Sequence, residues 1–285
     1  MRLGRSSDRG QPRTRRGRRL SLQGSVQPTP SRGTGQARHQ QGREFHKEQA
    51  ETMMNGIKAL TFDVGGSIFD WQTATRKAVR KLAGARGVDV DDGAFTMTWR
   101  RRMFEELAKV RSGELPWQNA DELHRALLDE LADAHPQLEL SDSDRDDLNR
   151  AWHRMGVWDD VPEALAKLRE RYIVSILTVL SLSIVVDSSK HAGIDWDAYI
   201  SCEFLGVYKP EPESYQTAAR LLGAEPDEVM MVAVHPGDLL AAKRAGLKTG
   251  YVKPKVWEPG ADGPTEGFDV TAEDYGELAR QLCDA

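Results

Sequence analysis

Between Trp71 and Asp160 the apolar positions recur at three- and four-residue spacing. The sets are Ala78, Val79 and Leu82; Met103, Phe104, Leu107 and Val110; Leu123, Ala126, Leu127 and Leu131; and Leu148, Trp152 and Met155. Each set lays a stripe along one face of a helix, so this stretch is predicted to be almost wholly helical. Gly87-Val88-Asp89, Gly113-Glu114-Leu115-Pro116 and His135-Pro136 supply the breaks between helices. Outside it the pattern changes. Short apolar runs at 57–62, 173–177, around Tyr199, 229–234 and 249–252 alternate with helical patterns at 162–171, 182–192, 212–222, 238–245 and 272–282. Alternation of this kind implies a parallel sheet with helices on both faces. The predicted fold class is therefore α/β, a Rossmann-like parallel sheet core with an inserted helical cap domain. The core is placed at 56–70 and 160–285, and the cap at 71–159.

Residues 1–55 lack aliphatic periodicity and are rich in Arg, Gly, Gln, Ser and Pro, so burial cannot offset their ordering entropy. They are read as a disordered basic arm. No aromatic residue interleaves the arginines from Arg13 to Arg19, which argues against an RNA-binding arm, and the glycine and proline content argues against an amphipathic transit helix. The expectation is that synthesis starts at Met53 or Met54, immediately before the first strand. The arm holds 12 Lys and Arg against 4 Asp and Glu, an excess of +8, so the total of -5 leaves about -13 on the remainder. An acidic folded part does not suit phosphate-backbone contacts, so no nucleic-acid partner is expected for it. Only two cysteines, Cys202 and Cys283, are present among 285 residues, which excludes a disulfide framework or a cysteine metal cluster and fits a reducing, cytoplasmic setting. No apolar run approaches the roughly 20 residues needed to span a bilayer.

The chemistry concentrates at strand ends. Asp63 follows the first strand, with Gly65 and Gly66 to close the backbone tightly and Ser67 to donate a hydrogen bond. Thr178 follows the strand at 173–177, and His235 and Asp238 follow the one at 229–234. Lys209 lies in the proline-stiffened loop Tyr208-Lys209-Pro210-Glu211-Pro212. In a parallel sheet all of these reach one carboxyl-end crevice, where a carboxylate nucleophile and a lysine able to offset two acids would form an anion site. Each residue also has a plainer role open to it. Asp63 and Thr178 can cap turns, Lys209 can be a solvated loop charge, Tyr215 can pack a helix, and His235 can be a hydrogen-bonded structural residue. His153, His191, Trp152 and Trp158 are read as packing or surface residues.

The order strand-Asp-x-x-Gly-Ser, strand-Thr, Lys-Pro and a final Asp resembles the haloacid dehalogenase superfamily over roughly residues 57–255. Phe69-Asp70-Trp71, Tyr208 to Tyr215 and Asp238 to Gly246 resemble its L-2-haloacid dehalogenase (type II) branch most. The resemblance implies that Asp63 attacks the halogen-bearing carbon of a small anionic 2-haloacid, forming an aspartyl ester that water hydrolyses, with no cofactor. It further implies that Lys209 steadies Asp63, that Asp238 positions or activates water, and that Ser67 and Thr178 hold carboxylate oxygens. Tyr215 would line the pocket, Arg100 in Trp99-Arg100 would handle halide and substrate, and His235 would serve as a polar group or base. Homodimerisation through the cap is implied as well. Phosphatases of the superfamily carry a second Asp where this chain has Gly65, and an acid where it has Val234, so a magnesium-dependent phosphatase is the second reading. The branch also has Tyr at the position of Gly65, Asn at that of Val179 and Ser-x-Asn at Ala233 to His235, which keeps a catalytically weak or inactive binding relative as the third.

Overall fold

The computed structural model describes residues 56–284; the basic arm and the start at Met53 or Met54 lie outside the described residues. Five of the expected strands form, at Ala59–Phe62 (β1), Ile173–Thr178 (β4), Ala198–Ser201 (β5), Val229–Ala233 (β6) and Lys248–Val252 (β7). A sixth, Val270–Ala272 (β8), falls where the last helix was predicted to begin. That helix starts instead at Tyr275, capped by the Asp274 side chain, because residues 270–272 pair in parallel with β7 at the sheet edge. The sheet order is β5-β4-β1-β6-β7-β8, every neighbouring pair parallel. β1 is thus central, and its burial on both faces explains a run without polar alternation. Leu60 and Phe62 join the core that continues into the cap helices, while Ala59 packs with Leu177, Tyr215, Met231 and Leu239 on the opposite face.

Helices Trp71–Arg86 (α1), Asp92–Ser112 (α2), Ala120–Ala134 (α3) and Asp142–Asn149 (α4) fill the insertion. Their limits follow from local chemistry. Asp70 caps the first turn of α1 by accepting from Thr73 N, and Gly87 and Gly113 end α1 and α2 in the left-handed conformation that a side chain resists. Reciprocal capping boxes, Asn119 with Glu122 and Ser141 with Asp144, open α3 and α4. A two-residue antiparallel ribbon, Phe69–Asp70 (β2) against Gly156–Val157 (β3), joins the entry and exit of the insertion. Strands this short leave no periodic signal, and the ribbon was not anticipated. Trp158 then donates from Nε1 to Ser67 O at 2.9 Å, tying the exit to the loop that carries Asp63.

The remaining helices cover the sheet at Val161–Arg169 (α5), Leu182–Ala192 (α6), Cys202–Leu205 (α7), Pro212–Leu221 (α8), Pro236–Arg244 (α9) and Tyr275–Cys283 (α10). The chain runs from β1 to β4 on one side and later returns to β6 on the other. The carboxyl ends of β1, β4 and β6 therefore open onto one crevice, as expected at such a reversal. No helix of the described residues is long and apolar enough to cross a membrane.

Candidate active site

The loop after β1 folds back on itself: Ile68 N and Phe69 N donate to Val64 O at 3.1 and 2.8 Å, and Gly66 N donates to Phe69 O at 3.0 Å. This turn needs a φ of +90° at Gly66, a conformation that glycine reaches without steric cost. Asp63 is left at the strand tip with both carboxylate oxygens engaged. Ser67 Oγ and His235 Nδ1 approach Oδ2 at 2.8 and 3.1 Å, while Lys209 Nζ donates to Oδ1 at 3.0 Å. Ser67 Oγ also accepts from Val234 N at 3.2 Å, so the hydroxyl locks the loop after β1 to β6. Burial opposes charge on Asp63, but Lys209 and His235 outweigh it and hold the carboxyl well below the usual range.

Lys209 bridges two acids. Its Nζ lies 2.7 Å from Asp238 Oδ2, and Tyr215 OH donates to Asp238 Oδ1 at 2.5 Å. Burial works against the ammonium, yet the two carboxylates keep its pKa raised, so it stays charged at every physiological pH. Asp238 sits in the first turn of α9, where the helix dipole also favours an anion.

Arg100 projects from α2 toward the same loop. Three consecutive arginines stand here, and the structure separates them: Arg100 is 4% exposed, Arg101 pairs with Glu105 at the cavity edge, and Arg102 pairs with Glu105, Glu106 and Glu130 outside the cavity lining. The Arg100 guanidinium lies 5.1, 4.5 and 5.8 Å from the ring centres of Trp71, Phe104 and Trp152. Nη2 reaches Gly65 O at 3.5 Å, and Nε and Nη1 have no partner among the described residues. A Cβ on Gly65 would stand 3.1 Å from Nη2. The glycine two residues after Asp63 thus gives the guanidinium the space that a side chain would occupy. Behind this layer His124 stacks on Trp152 at 4.0 Å; burial and the Arg100 charge push its pKa down to about 3, so it is neutral.

Glu258 completes the site and was absent from the sequence reading. It is 2% exposed, in the loop after β7. Trp71 Nε1 lies 3.0 Å from each of its oxygens, and Gln72 Nε2 donates to Oε2 at 3.2 Å. It presses so closely on the turn after Asp63 that a Cβ at Gly66 would stand 2.4 Å from Oε1. Its Oε1 faces His235 Nε2 at 3.6 Å, so the imidazole lies between Glu258 and Asp63. Burial opposes charge on His235, but the two carboxylates raise its pKa to about 9, making it an imidazolium at neutral pH. Three acids, Asp63, Asp238 and Glu258, are then matched by Lys209, Arg100 and His235. The loop carries no periodic pattern that could have flagged Glu258; the available signal was its position after a strand on the crevice side of the sheet.

These groups open onto a cavity of about 930 Å³ lined by Asp63, Gly65, Arg100, Thr178, Lys209, His235 and Asp238, with Met97, Phe104, Leu107, Val179, Leu180 and Trp257 as apolar walls. Most predicted site residues are therefore brought together, with corrections. Tyr215 does not line the cavity: it is buried in α8 and reaches only Asp238. Ser67 is likewise behind the surface and holds Asp63. Thr178 lines the cavity, but its hydroxyl accepts from Leu180 N at 3.1 Å and so fixes the turn after β4. Trp152 packs, Trp158 braces the loop after β1, and His153 pairs with Asp121 and Asp187 away from the crevice.

A switch-point crevice in a parallel sheet, covered by helices inserted after the first strand and lined by a carboxylate, a lysine and a buried arginine, has the form of an α/β enzyme of the capped type. The family model of haloacid dehalogenase-like hydrolases matches residues 57–246, and the chain belongs to that family. It is 30% identical over 203 residues to (S)-2-haloacid dehalogenase 4A of Burkholderia cepacia, covering 69% of this chain and 83% of that protein. The crystal structure of the defluorinating L-2-haloacid dehalogenase Rha0230 shares 33% identity and a TM-score of 0.74, covering 79% of this chain and 95% of that one. That of the L-2-haloacid dehalogenase PA0810 shares 31% identity and a TM-score of 0.75, covering 80% and 100%.

Proposed function

We propose that this protein hydrolyses the carbon–halogen bond of small (S)-2-haloacids. Asp63 attacks C2 in line, the C2–halogen pair leaves with the halide, and the new Asp63–C2 ester is cleaved by water to give the 2-hydroxyacid. The observation that carries this reading is a buried Arg100, held against Gly65 two residues from Asp63, whose Nε and Nη1 have no partner among the described residues. An anion beside Asp63, either the substrate carboxylate or the departing halide, would satisfy those donors. The aromatic rings around the guanidinium keep it poorly hydrated, which favours a large, weakly hydrated halide.

Lys209 orients Asp63 through Oδ1 and Asp238 holds Lys209 in turn, so the carboxylate needs no metal ion to remain ionised. Oδ2 already accepts two hydrogen bonds and Oδ1 only one, which leaves Oδ1 the freer nucleophile. The cavity volume lies within the range of small-molecule sites, and its apolar walls suit an alkyl substituent at C2. The phosphatase reading has little support in these residues. The position of its second acid is Gly65, under Arg100, and no three His, Cys, Asp or Glu among the described residues converge to hold a metal ion.

The test is a substrate panel. Purified protein is expected to release halide from (S)-2-chloro- and 2-bromoalkanoates and to leave the (R)-enantiomers at least about tenfold slower, the size of a modest pocket discrimination. Magnesium-dependent phosphate release from phosphate esters, without halide release, would replace this reading with the phosphatase one. A folded protein silent in both assays would favour the binding relative.

A further inference from the structure

We propose that His235 is the base that activates water in the ester-hydrolysis step, and that Glu258 is the positioning residue that equips it for this. The inference rests on reading Asp63 as the nucleophile that becomes an ester. His235 Nδ1 is 3.1 Å from Asp63 Oδ2, so it touches the group under attack, and His235 lines the cavity through which water arrives. Its other nitrogen faces Glu258, which is held by Trp71 and Gln72 at the start of α1. A carboxylate on Nε2 keeps the proton there and leaves Nδ1 as the acceptor once the ring is neutral. Asp238 is less available for this work, since one oxygen accepts from Lys209 and the other from Tyr215.

The ring's charge state follows the reaction. Asp63 and Glu258 face it directly, Arg100 acts on both of those carboxylates, and Lys209 and Asp238 lie on the far side of Asp63. In the free enzyme His235 is an imidazolium and a hydrogen-bond donor. Alkylation turns Asp63 into a neutral ester, which removes one of the two charges holding the proton; the pKa of His235 falls and the proton leaves through the cavity. Neutral Nδ1 then takes a proton from water as its oxygen bonds to Asp63 Cγ. The tetrahedral adduct breaks its bond to the alkoxide oxygen, and the alkoxide receives the proton from Nδ1. The regenerated Asp63 carboxylic acid passes its proton to His235, restoring the starting pair. One proton and one halide are released per turnover, as the overall hydrolysis requires.

Rapid-quench single turnovers with an (S)-2-haloacid, reading halide, intact protein mass and 2-hydroxyacid, separate the two steps. His235→Asn is expected to release about one halide per chain and then to accumulate an Asp63 ester that is hydrolysed about 10²-fold or more slowly than in the wild type. Glu258→Gln, which retains an oxygen for Trp71, is expected to give a full halide burst with ester hydrolysis slowed about tenfold or more. Its pH inflection should move to lower pH, because a neutral amide no longer supports the imidazolium; Glu258→Asp should recover part of both changes. In the wild type, ester hydrolysis should rise with pH through one inflection. A flat wild-type profile overturns the proposal, as does an ester in His235→Asn hydrolysed within about threefold of the wild-type rate, or a Glu258→Gln profile superimposable on the wild type. Absence of any halide burst in the wild type would instead remove the dehalogenase reading itself, and this proposal with it.

Discussion

Asp63→Asn should yield a folded protein whose halide release is lower by about 10⁴-fold or more, the loss expected when a covalent nucleophile is removed. The amide keeps the shape of the carboxylate. Its oxygen can still accept from Lys209, and its NH₂ can face the nitrogen of a His235 that becomes neutral once one of its two carboxylate partners is gone. The buried charge therefore readjusts by losing a proton from His235, and thermal denaturation should show a native-like transition. Halide released over time at saturating 2-haloacid is the measurement, with intact mass used to confirm that the introduced amide has not deamidated. Turnover within tenfold of the wild type would mean that another group attacks the substrate.

The second large effect belongs to Lys209. Lys209→Met should lower halide release by about 10²- to 10³-fold, comparable to removing one preorganised charge donor, and destabilise the fold by about 3–5 kcal/mol. The stability loss arises because Lys209 Nζ is the shared partner of Asp63 at 3.0 Å and Asp238 at 2.7 Å, all three side chains being largely shielded from solvent. Methionine fills a similar volume but leaves two adjacent carboxylates facing one another. Urea unfolding midpoints check the magnitude. A double variant carrying Asp238→Asn as well should lose less stability than the sum of the two single changes, since one of the unpaired acids is then gone.

The carboxyl-end constellation was legible because topology ties strand tips together: once β1, β4 and β6 are recognised as neighbours, Asp63, Thr178, His235 and Asp238 must share a crevice. The direction of a helical side chain was harder to read. Tyr215 follows Lys209 closely in sequence, but α8 turns its ring into the sheet core, and only its hydroxyl reaches the site through Asp238. Arg100 was more accessible than it first looks. It lies four residues from Thr96 and seven from Leu107, both buried on α2, so the helix period places it in the inward stripe, while Arg101 stays at the cavity edge and Arg102 turns away. Gly65 reads in the sequence as a missing acid or a missing tyrosine. In the fold it is the space occupied by the Arg100 guanidinium. Glu258 was not legible by pattern, because its contacts with Trp71, Gln72 and His235 join segments far apart in the chain.

Whether Asp63 forms an ester that water opens at its carbonyl carbon is decided by a single turnover in H₂¹⁸O with enzyme in excess over an (S)-2-haloacid. The label is expected in the Asp63 carboxylate, as a mass gain confined to the peptide containing that residue, and the first 2-hydroxyacid formed is expected to be unlabelled. Label in the hydroxyl group of that first product, with Asp63 unchanged in mass, would show that water attacks C2 directly and that no Asp63 ester forms.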